Sequence, residues 1–454
     1  MTNILDISVL ENYKYDEITI NIVGNVDSGK SSLCGILSHN KLLDDQDTID
    51  QKQLENNILD DGNGKSRQRV LSLKHEQISG RTSSISFNYL LLQKSKPHPK
   101  VISLIDLAGH SRYLKTTING VISTYPEYGF ILIAKNITQM TREHYAILST
   151  MGIPILFIFT KIDMIPNKII ESNINSIKIL SKKYKKTLSL YNPIDKNISN
   201  KNENLPSFSK NDNYIKLSNK TGEGFESLLK FISNIKKKEK NLLKAFCIDN
   251  AYHNITGFGT VVAGINGIDI NKGDTLVMGP FIGKTFIPVK IRSIHNDYKQ
   301  FIDKLGINIR GCLCIKYDTI YKKYIKSGII ITRPELISTY DTESKVNLKY
   351  SLNNIDTIKP INKFEAYVAI FRGNGSSIKV GYTSYINIGL NRGCIRITKI
   401  KDKDTNEEIT HIKSKYAIVE IEFTDKYVCI NNNERFLFRS DRVNGIGKVL
   451  NMDL

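Results

Sequence analysis

Three stretches of this sequence combine residue types and spacings suited to phosphate chemistry. Gly24-Asn25-Val26-Asp27-Ser28-Gly29-Lys30-Ser31 fits the pattern G-x-x-x-x-G-K-[ST] and is followed by Ser32. Glycines let a backbone curl round a phosphate without a Cβ in the way, and the amides then point at its oxygens from a helix N-terminus. Lys30 is placed to reach the β- and γ-phosphates, and the Ser31 hydroxyl to bind Mg²⁺. Asp106-Leu107-Ala108-Gly109-His110 closes an apolar run. There Asp106 can hold Mg²⁺ directly or through a water, and Gly109 lets its N–H approach a terminal phosphate. An imidazole at His110 can orient a water, which phosphoryl transfer to water needs more than a strong base. A bare Gly-rich turn, a helix-capping Asp and a surface His are the plainer readings. The order loop, strand, Asp and the flanking patterns weigh against them.

Base recognition is expected further on. Thr160-Lys161-Ile162-Asp163 ends another apolar run. A carboxylate there can accept from guanine N1–H and the 2-amino group together, a pair of donors adenine lacks. Lys161 can lie along the base. In Ser218-Asn219-Lys220 a backbone N–H can meet the guanine O6. Between the phosphate loop and Asp106 runs a long polar segment holding His75–Thr82. It suits a stretch that orders around a γ-phosphate and Mg²⁺. Thr82 is the first choice for a second hydroxyl on the metal, with Ser83 and Ser84 as alternatives.

These groups need a scaffold that brings loop ends together. Ile18, Ile20 and Ile22 alternate with polar residues, while 101–105, 130–134 and 155–159 are nearly continuous apolar runs. Such runs suit parallel strands buried on both faces. Leu33, Ile36 and Leu37, and later Phe225, Leu228, Leu229 and Ile232, keep helical spacing. The alternation predicts a doubly wound α/β domain with a mostly parallel sheet over 16–240, after a short extension at 1–15. An Asn-, Lys- and Ser-rich stretch at 191–213 reads as a mobile surface insertion. Beyond Lys236-Lys237-Lys238-Glu239-Lys240 the texture turns to short β-rich segments and turn signals. That predicts two antiparallel β-barrels, 241–338 and 339–454.

Composition sets the limits. At about 150 residues per domain, 454 residues suit about three domains. Lys+Arg number 64 against 45 Asp+Glu, a formal +19, so a polyanion such as RNA is the favoured partner. The lysine groups at 182–186 and 236–240 either touch RNA phosphates or are solvated faces. No run reaches the ~18 apolar residues of a membrane span, and the N-terminus lacks a signal-peptide pattern. Six scattered cysteines without C-x-x-C suit a reduced, cytoplasmic setting. Cys312 and Cys314 share one strand face and read as core thiols rather than metal ligands.

The motifs in this order resemble the translational GTPase superfamily of elongation factor Tu and elongation factor 1-alpha, and in particular its GTP-binding protein one-and-two branch. Residues 24–31, HEQISGRTSS (75–84), IDLAGHSRYLKTT (105–117), MTREH (140–144), TKIDM (160–164), TGFGTVVAGINGIDINKGDTLVMGP (256–280), VKIRSIH (289–295) and RFLFRSDRVNGIGKV (435–449) carry the likeness. The resemblance implies a P-loop GTPase domain followed by two barrels, GTP/GDP and Mg²⁺ as ligands, slow hydrolysis unless a partner stimulates it, and work on the ribosome, tRNA or other RNA by a monomer away from membranes. By position it implies that Lys30 binds phosphate and takes part in catalysis. Ser31, Thr82 and Asp106 hold Mg²⁺, Gly109 senses the γ-phosphate, His110 positions water, Asp163 reads guanine, and Asp27 matches a position linked to a monovalent cation. Three departures stand out. Thr160 replaces the usual Asn, Ala108 stands for a Pro, and Arg81 sits where an apolar gate residue is usual. A low-turnover GTP-binding module in RNA surveillance or decay is the alternative. A metabolic adenylylsulfate-type GTPase is a third reading, for which the sequence offers no second catalytic domain.

Overall fold

The computed structural model describes residues 15–39, 59–61, 64–71, 76, 85–92, 98–191, 211–297, 300–338, 357–370, 378–412, 416–439 and 443–452. The chain forms two compact units, divided between Lys238 and Glu239.

The first unit runs β1 (Asp16–Gly24), α1 (Lys30–His39), α2 (Lys65–Gln68), β2 (Ser86–Leu92), β3 (Lys100–Asp106), α3 (Leu114–Ser123), β4 (Tyr128–Ile133), α4 (Gln139–Thr150), β5 (Ile155–Phe159), α5 (Asn167–Lys183), β6 (Thr187–Leu190), β7 (Asn211–Lys216) and α6 (Phe225–Asn234). Its sheet has the order β2-β3-β1-β4-β5-β7-β6. Only β2 is antiparallel to its neighbour; the other pairings are parallel. The apolar runs read in the sequence are the central strands, and β3, β4 and β5 are buried along their whole length. Helix α6 turns Phe225, Leu228, Leu229 and Ile232 inward at the predicted spacing. They join Ile18, Ile20 and Ile22 of β1 in one core, each buried large side chain contributing about 1.5–3 kcal/mol.

Register sets what the sheet's C-terminal edge presents. Ile22 pairs with Asp106 and Gly24 with Leu132. The Thr160 N–H donates to Ile133 O at 2.8 Å and the Leu217 N–H to Phe159 O at 2.8 Å. The phosphate loop, Asp106, Thr160 and the 218–220 turn therefore leave β1, β3, β5 and β7 at one edge of the sheet. The sequence places an insertion over 191–213, but β7 begins at Asn211 and β6 ends at Leu190. β6 at the sheet edge and β7 beside it are polar, with one and two buried residues, and give no apolar run to read. Residues 192–210 lie outside the described part.

The second unit holds two barrels. The first comprises β8 (Phe246–Ile255), β9 (Gly259–Asn266), β10 (Ile270–Asn271), β11 (Thr275–Gly279), β12 (Ile287–Asn296), β13 (Phe301–Ile302), β14 (Lys304–Leu305), β15 (Arg310–Lys316) and β16 (Ile330–Thr332). Pairing in the order β11-β16-β8-β9-β15-β12, with β12 returning to β11, closes it. The second comprises β17 (Lys363–Ile370), β18 (Thr383–Ile388), β19 (Asn391–Lys401), β20 (Tyr416–Phe423), β21 (Arg435–Arg439) and β22 (Val443–Asn451), closed in the order β17-β20-β19-β18-β21-β22. Each has its own apolar core. Leu313 and Ile315 of β15 face the first core. Cys312 and Cys314, one residue out of phase, therefore line the outer face rather than the core. Cys314 is buried there against Phe258 O, with Sγ donating at 3.1 Å. Among the described residues no helix is long and apolar enough to cross a membrane.

Candidate nucleotide site

The phosphate loop leaves β1 as soon as strand pairing ends, and its shape is held by its own side chains and by two distant loops. The Ser28 hydroxyl donates to Asn25 O at 2.8 Å. The Lys30 ammonium folds back over the loop and donates to Gly24 O at 3.1 Å and to Asn25 O at 2.8 Å. From the base-recognition side, Thr160 Oγ1 donates to Ser28 O at 2.9 Å and Asn219 Nδ2 to Gly29 O at 3.2 Å. In a trans peptide the C=O and the following N–H point in opposite directions. Fixing the carbonyls of Ser28 and Gly29 on one side therefore aims the amides of Gly29 and Lys30 at the other, into the hollow the loop encloses. Thr160 is 1% exposed. Its hydroxyl supplies the tie between base loop and phosphate loop that the sequence left open when it put Thr in place of Asn.

Asp106 is fully buried and accepts from Ser31 Oγ at 2.6 Å through Oδ2. The following turn is pinned to the sheet, with Leu107 N–H on Ile22 O at 3.1 Å and Thr117 Oγ1 on Ala108 O at 2.8 Å. It then passes hard against the phosphate loop. A Cβ on Gly109 would stand 2.6 Å from Gly24 O, 2.9 Å from the Asn25 carbonyl carbon and 2.5 Å from Lys30 Nζ. Only glycine fits. Burial pushes the pKa of Lys30 down, while Asp106, Cys34 and Asp27 act to raise it.

His110 is exposed, and its Nδ1 accepts from the Arg112 N–H at 3.0 Å. The neutral ring then carries its proton on Nε2, which is left as a donor. The edge of the Tyr113 ring lies against it, with centroids 6.2 Å apart.

At the base end, exposed Asp163 is oriented by Ser218, whose hydroxyl donates to Oδ1 at 2.6 Å. The same hydroxyl oxygen accepts from the N–H groups of Lys220 at 3.2 Å and Thr221 at 3.1 Å. Lys161 and Asp27 both take left-handed backbone conformations, with φ of 60° and 59°. The structure thus brings together residues 24–32, 106, 109, 110, 160, 161, 163 and 218–220. Thr82, Ser83, Ser84 and Arg81 lie outside the described residues.

Two contributors escaped the sequence reading. Asp60 accepts from Ser32 Oγ at 3.0 Å, and its N–H donates to Asn219 O at 3.0 Å, so the 59–61 segment is strapped to the base loop. No motif marks an Asp in an acidic polar stretch. His144 of α4 is 1% exposed, with neither ring nitrogen hydrogen-bonded. Burial first, then the Lys30 charge, lowers its pKa to about 3. Of the lysine groups, Lys186 is taken up by a buried ion pair with Asp212 at 3.0 Å, and Lys182, Lys183 and Lys185 remain exposed.

Residues 16–238 match the elongation factor Tu GTP binding domain family. The chain is 27% identical over 465 residues to GTP-binding protein 1 of Xenopus laevis, an alignment spanning 95% of this chain and 63% of that protein. It is 25% identical over 485 residues to human GTP-binding protein 2, across 99% of this chain and 71% of that one. This chain thus spans less than two thirds of the Xenopus relative. In fold it is similar to elongation factor SelB of Methanococcus maripaludis in complex with the GTP analogue GppNHp, with TM-score 0.64, 20% identity, and 97% and 80% of the two chains covered. It is also similar to the Saccharomyces cerevisiae Ski7 GTPase-like domain bound to GTP, with TM-score 0.63, 16% identity, and 96% and 97% covered.

Proposed function

We propose that this chain, whose residues 16–238 match the elongation factor Tu GTP binding domain family, is a translational GTPase that hydrolyses GTP to GDP and phosphate as a switch acting on the ribosome, tRNA or other RNA. The observation that carries the hydrolytic reading is the closure of Gly109 onto the phosphate loop with His110 exposed beside it.

The residues divide the work. Gly29 and Lys30 amides and the Lys30 ammonium bind the phosphates. The ammonium has three donors and gives two to loop carbonyls, which leaves one for a phosphate oxygen. Asp163, oriented by Ser218, accepts from the guanine edge. The Ser31 hydroxyl and Asp106 carboxylate, 2.6 Å apart at the loop, are hard oxygen donors of the kind Mg²⁺ takes. Thr82 would complete that set. Bound there, Mg²⁺ would neutralise charge on the β- and γ-phosphates. His110 holds the attacking water by donating from Nε2 to its oxygen, an orienting role rather than that of a base. Turnover is slow until a partner stimulates it.

The basic composition and the likeness to SelB support an RNA-linked partner. A second reading is a low-turnover GTP-binding module in RNA surveillance or decay; the fold it needs is the one shared with a GTPase-like domain bound to GTP. Phosphate release with and without purified ribosomes, for the parent and Lys30→Ala, separates them. Ribosome-stimulated turnover that the mutant lacks supports the switch. GTP binding without stimulation supports the module. RNA affinity that does not fall with salt would refute the RNA partner, because phosphate contacts release counterions.

A further inference from the structure

We propose that the cleft between the two barrels binds a phosphate monoester carrying a planar ring, with Lys326 and Lys426 as the cationic partners of the phosphate. The site lies in the second unit and is separate from the nucleotide site.

The cleft measures about 470 Å³, and its walls include Phe281, Tyr324, Phe423 and Tyr427. Pockets for small ligands run from about 300 to 1,000 Å³ and combine apolar walls with few polar groups. Lys326 and Lys426 stand among these rings, and Asp425 is the only carboxylate in the lining. Lys426 lies 5.6 Å from the Phe423 centroid and spends one donor on Arg392 O at 2.5 Å. Two donors remain for a ligand. A third cation, Lys284, sits 5.0 Å over the Tyr427 ring at the rim.

Both barrels build the walls, and their loops interlock. Ser327 Oγ of the first barrel donates to Leu390 O of the second at 2.8 Å; within the second barrel Asn391 Nδ2 donates to Cys429 O at 3.0 Å, which fixes the residue that faces Gly328. Gly328, at φ 93°, passes so close to Asn391 that a Cβ would lie 2.5 Å from Oδ1. The cleft is therefore preformed rather than a gap between mobile side chains.

The charge distribution inside it is unbalanced. Burial of Lys426 comes first, and repulsion from Lys326 and Arg392 adds to it against the pull of Asp425; together they bring its pKa down to about 8. Like charges held in partly apolar surroundings raise the energy of the empty cleft, and a dianion between them relieves it. A phosphate monoester is such a dianion above its second pKa of about 6. Tyr324 and Tyr427, the two partly exposed rings in the lining, give its base or other planar group a surface to stack on.

The test uses the full chain saturated with GDP, so that the guanine site is filled. Titration calorimetry compares uridine, uridine 5′-monophosphate, and a short oligouridylate with a 5′-phosphate or a 5′-hydroxyl. The expected result is at least about tenfold tighter binding of the phosphorylated form of each pair, as loss of a charge-assisted contact implies. Tight binding of the mononucleotide identifies a free nucleotide as the ligand source, and tight binding of the oligonucleotide alone identifies an RNA end. Lys426→Gln and Lys326→Gln should each weaken binding about tenfold while GDP stays bound. Lys326 is exposed, so its variant tests the site without a risk to folding. In the parent, affinity should fall as pH rises from 7 to 9, because Lys426 loses its proton through about 8. Lys426 is the group whose loss of charge is measured; Lys326, Arg392, Asp425, Tyr324 and Tyr427 face it. Lys426→Gln should abolish that fall. Equal binding of phosphorylated and unphosphorylated ligands, no binding of either, or unchanged affinity in Lys326→Gln would overturn the proposal.

Discussion

Thr160→Val is the most direct test of how the nucleotide loop is shaped. The substitution keeps the branched side chain and removes the hydroxyl that donates to Ser28 O at 2.9 Å. Thr160 and Ser28 are both buried, at 1% and 2% exposure, so water cannot replace the donor. An unmet buried acceptor costs about 1–2 kcal/mol, which is about 5- to 30-fold in an equilibrium constant. Where that cost appears depends on what the bond does. If it only stabilises the fold, it is lost equally with and without nucleotide, and affinity is unchanged. If it turns the Ser28–Gly29 peptide so that the Gly29 N–H faces the phosphates, the loss falls on the complex. The trans geometry of the peptide supports the second case. Release of a fluorescent GDP analogue, followed by stopped flow, should therefore quicken about 5- to 30-fold in Thr160→Val. Thr160→Ser, which keeps the hydroxyl, should stay near the parent. An unchanged release rate in a Thr160→Val protein with a parental circular dichroism spectrum would refute the reasoning.

Further expectations concern the turn after β3 and the buried histidine. His110→Ala should bind GTP like the parent and lose partner-stimulated turnover; normal stimulated turnover in a single-turnover assay would remove His110 from the mechanism. Gly109→Ala forces the turn away from Gly24 O and Asn25 C, which are backbone atoms and cannot yield. It should weaken binding of a non-hydrolysable GTP analogue while leaving GDP nearly unaffected, as equilibrium fluorescence titration of both would show. His144 has its folded pKa lowered to about 3 by burial and by Lys30, so the unfolded chain binds the extra proton. Its contribution to stability is complete above the unfolded pKa of about 6.5 and is lost as pH falls towards 3. Between pH 6.5 and pH 4 the loss amounts to about 3 kcal/mol. Urea denaturation of the first unit's transition at several pH values should show that slope, and His144→Leu should flatten it.

How much of this could be read beforehand follows from the range of each interaction. The β3, β4 and β5 strands and α6 announce themselves because burial on both faces, or on one helical face, writes a continuous or periodic apolar pattern. β6 writes none, because in Thr187–Leu190 only Leu188 is buried. The phosphate loop is local and was visible as a motif. What shapes it is not local. Thr160 reaches Ser28 across 132 positions and Asn219 reaches Gly29 across 190. Those partners meet only because the sheet order puts β1 beside β4 and β5 next to β4 and β7. Residue type identifies Thr160 as a departure; only strand order reveals what its hydroxyl holds. Likewise Cys312 and Cys314 share a face in any strand, but which face meets the barrel core depends on closure.

The electrostatics of the site follow from the same geometry. Lys30 is 7% exposed. Its ammonium is the cation whose field helps keep His144 neutral, while Asp106 acts to keep Lys30 charged. Loop carbonyls at 3.1 and 2.8 Å satisfy two of its three donors but carry only partial charge, so the desolvation of the ammonium is offset in part. Arriving phosphates bring the full negative charge that completes the offset, and do so where Gly109 leaves no room for another side chain. Nucleotide affinity in this arrangement is therefore drawn from a charge the fold has already buried, as well as from contacts formed on binding. The converse is that closure of the Gly109 turn and occupation of the loop act on the same few atoms: Gly24 O, Asn25 C and Lys30 Nζ. A terminal phosphate that shifts Lys30 Nζ must alter the surface against which Gly109 packs, which links the state of the nucleotide to the position of His110.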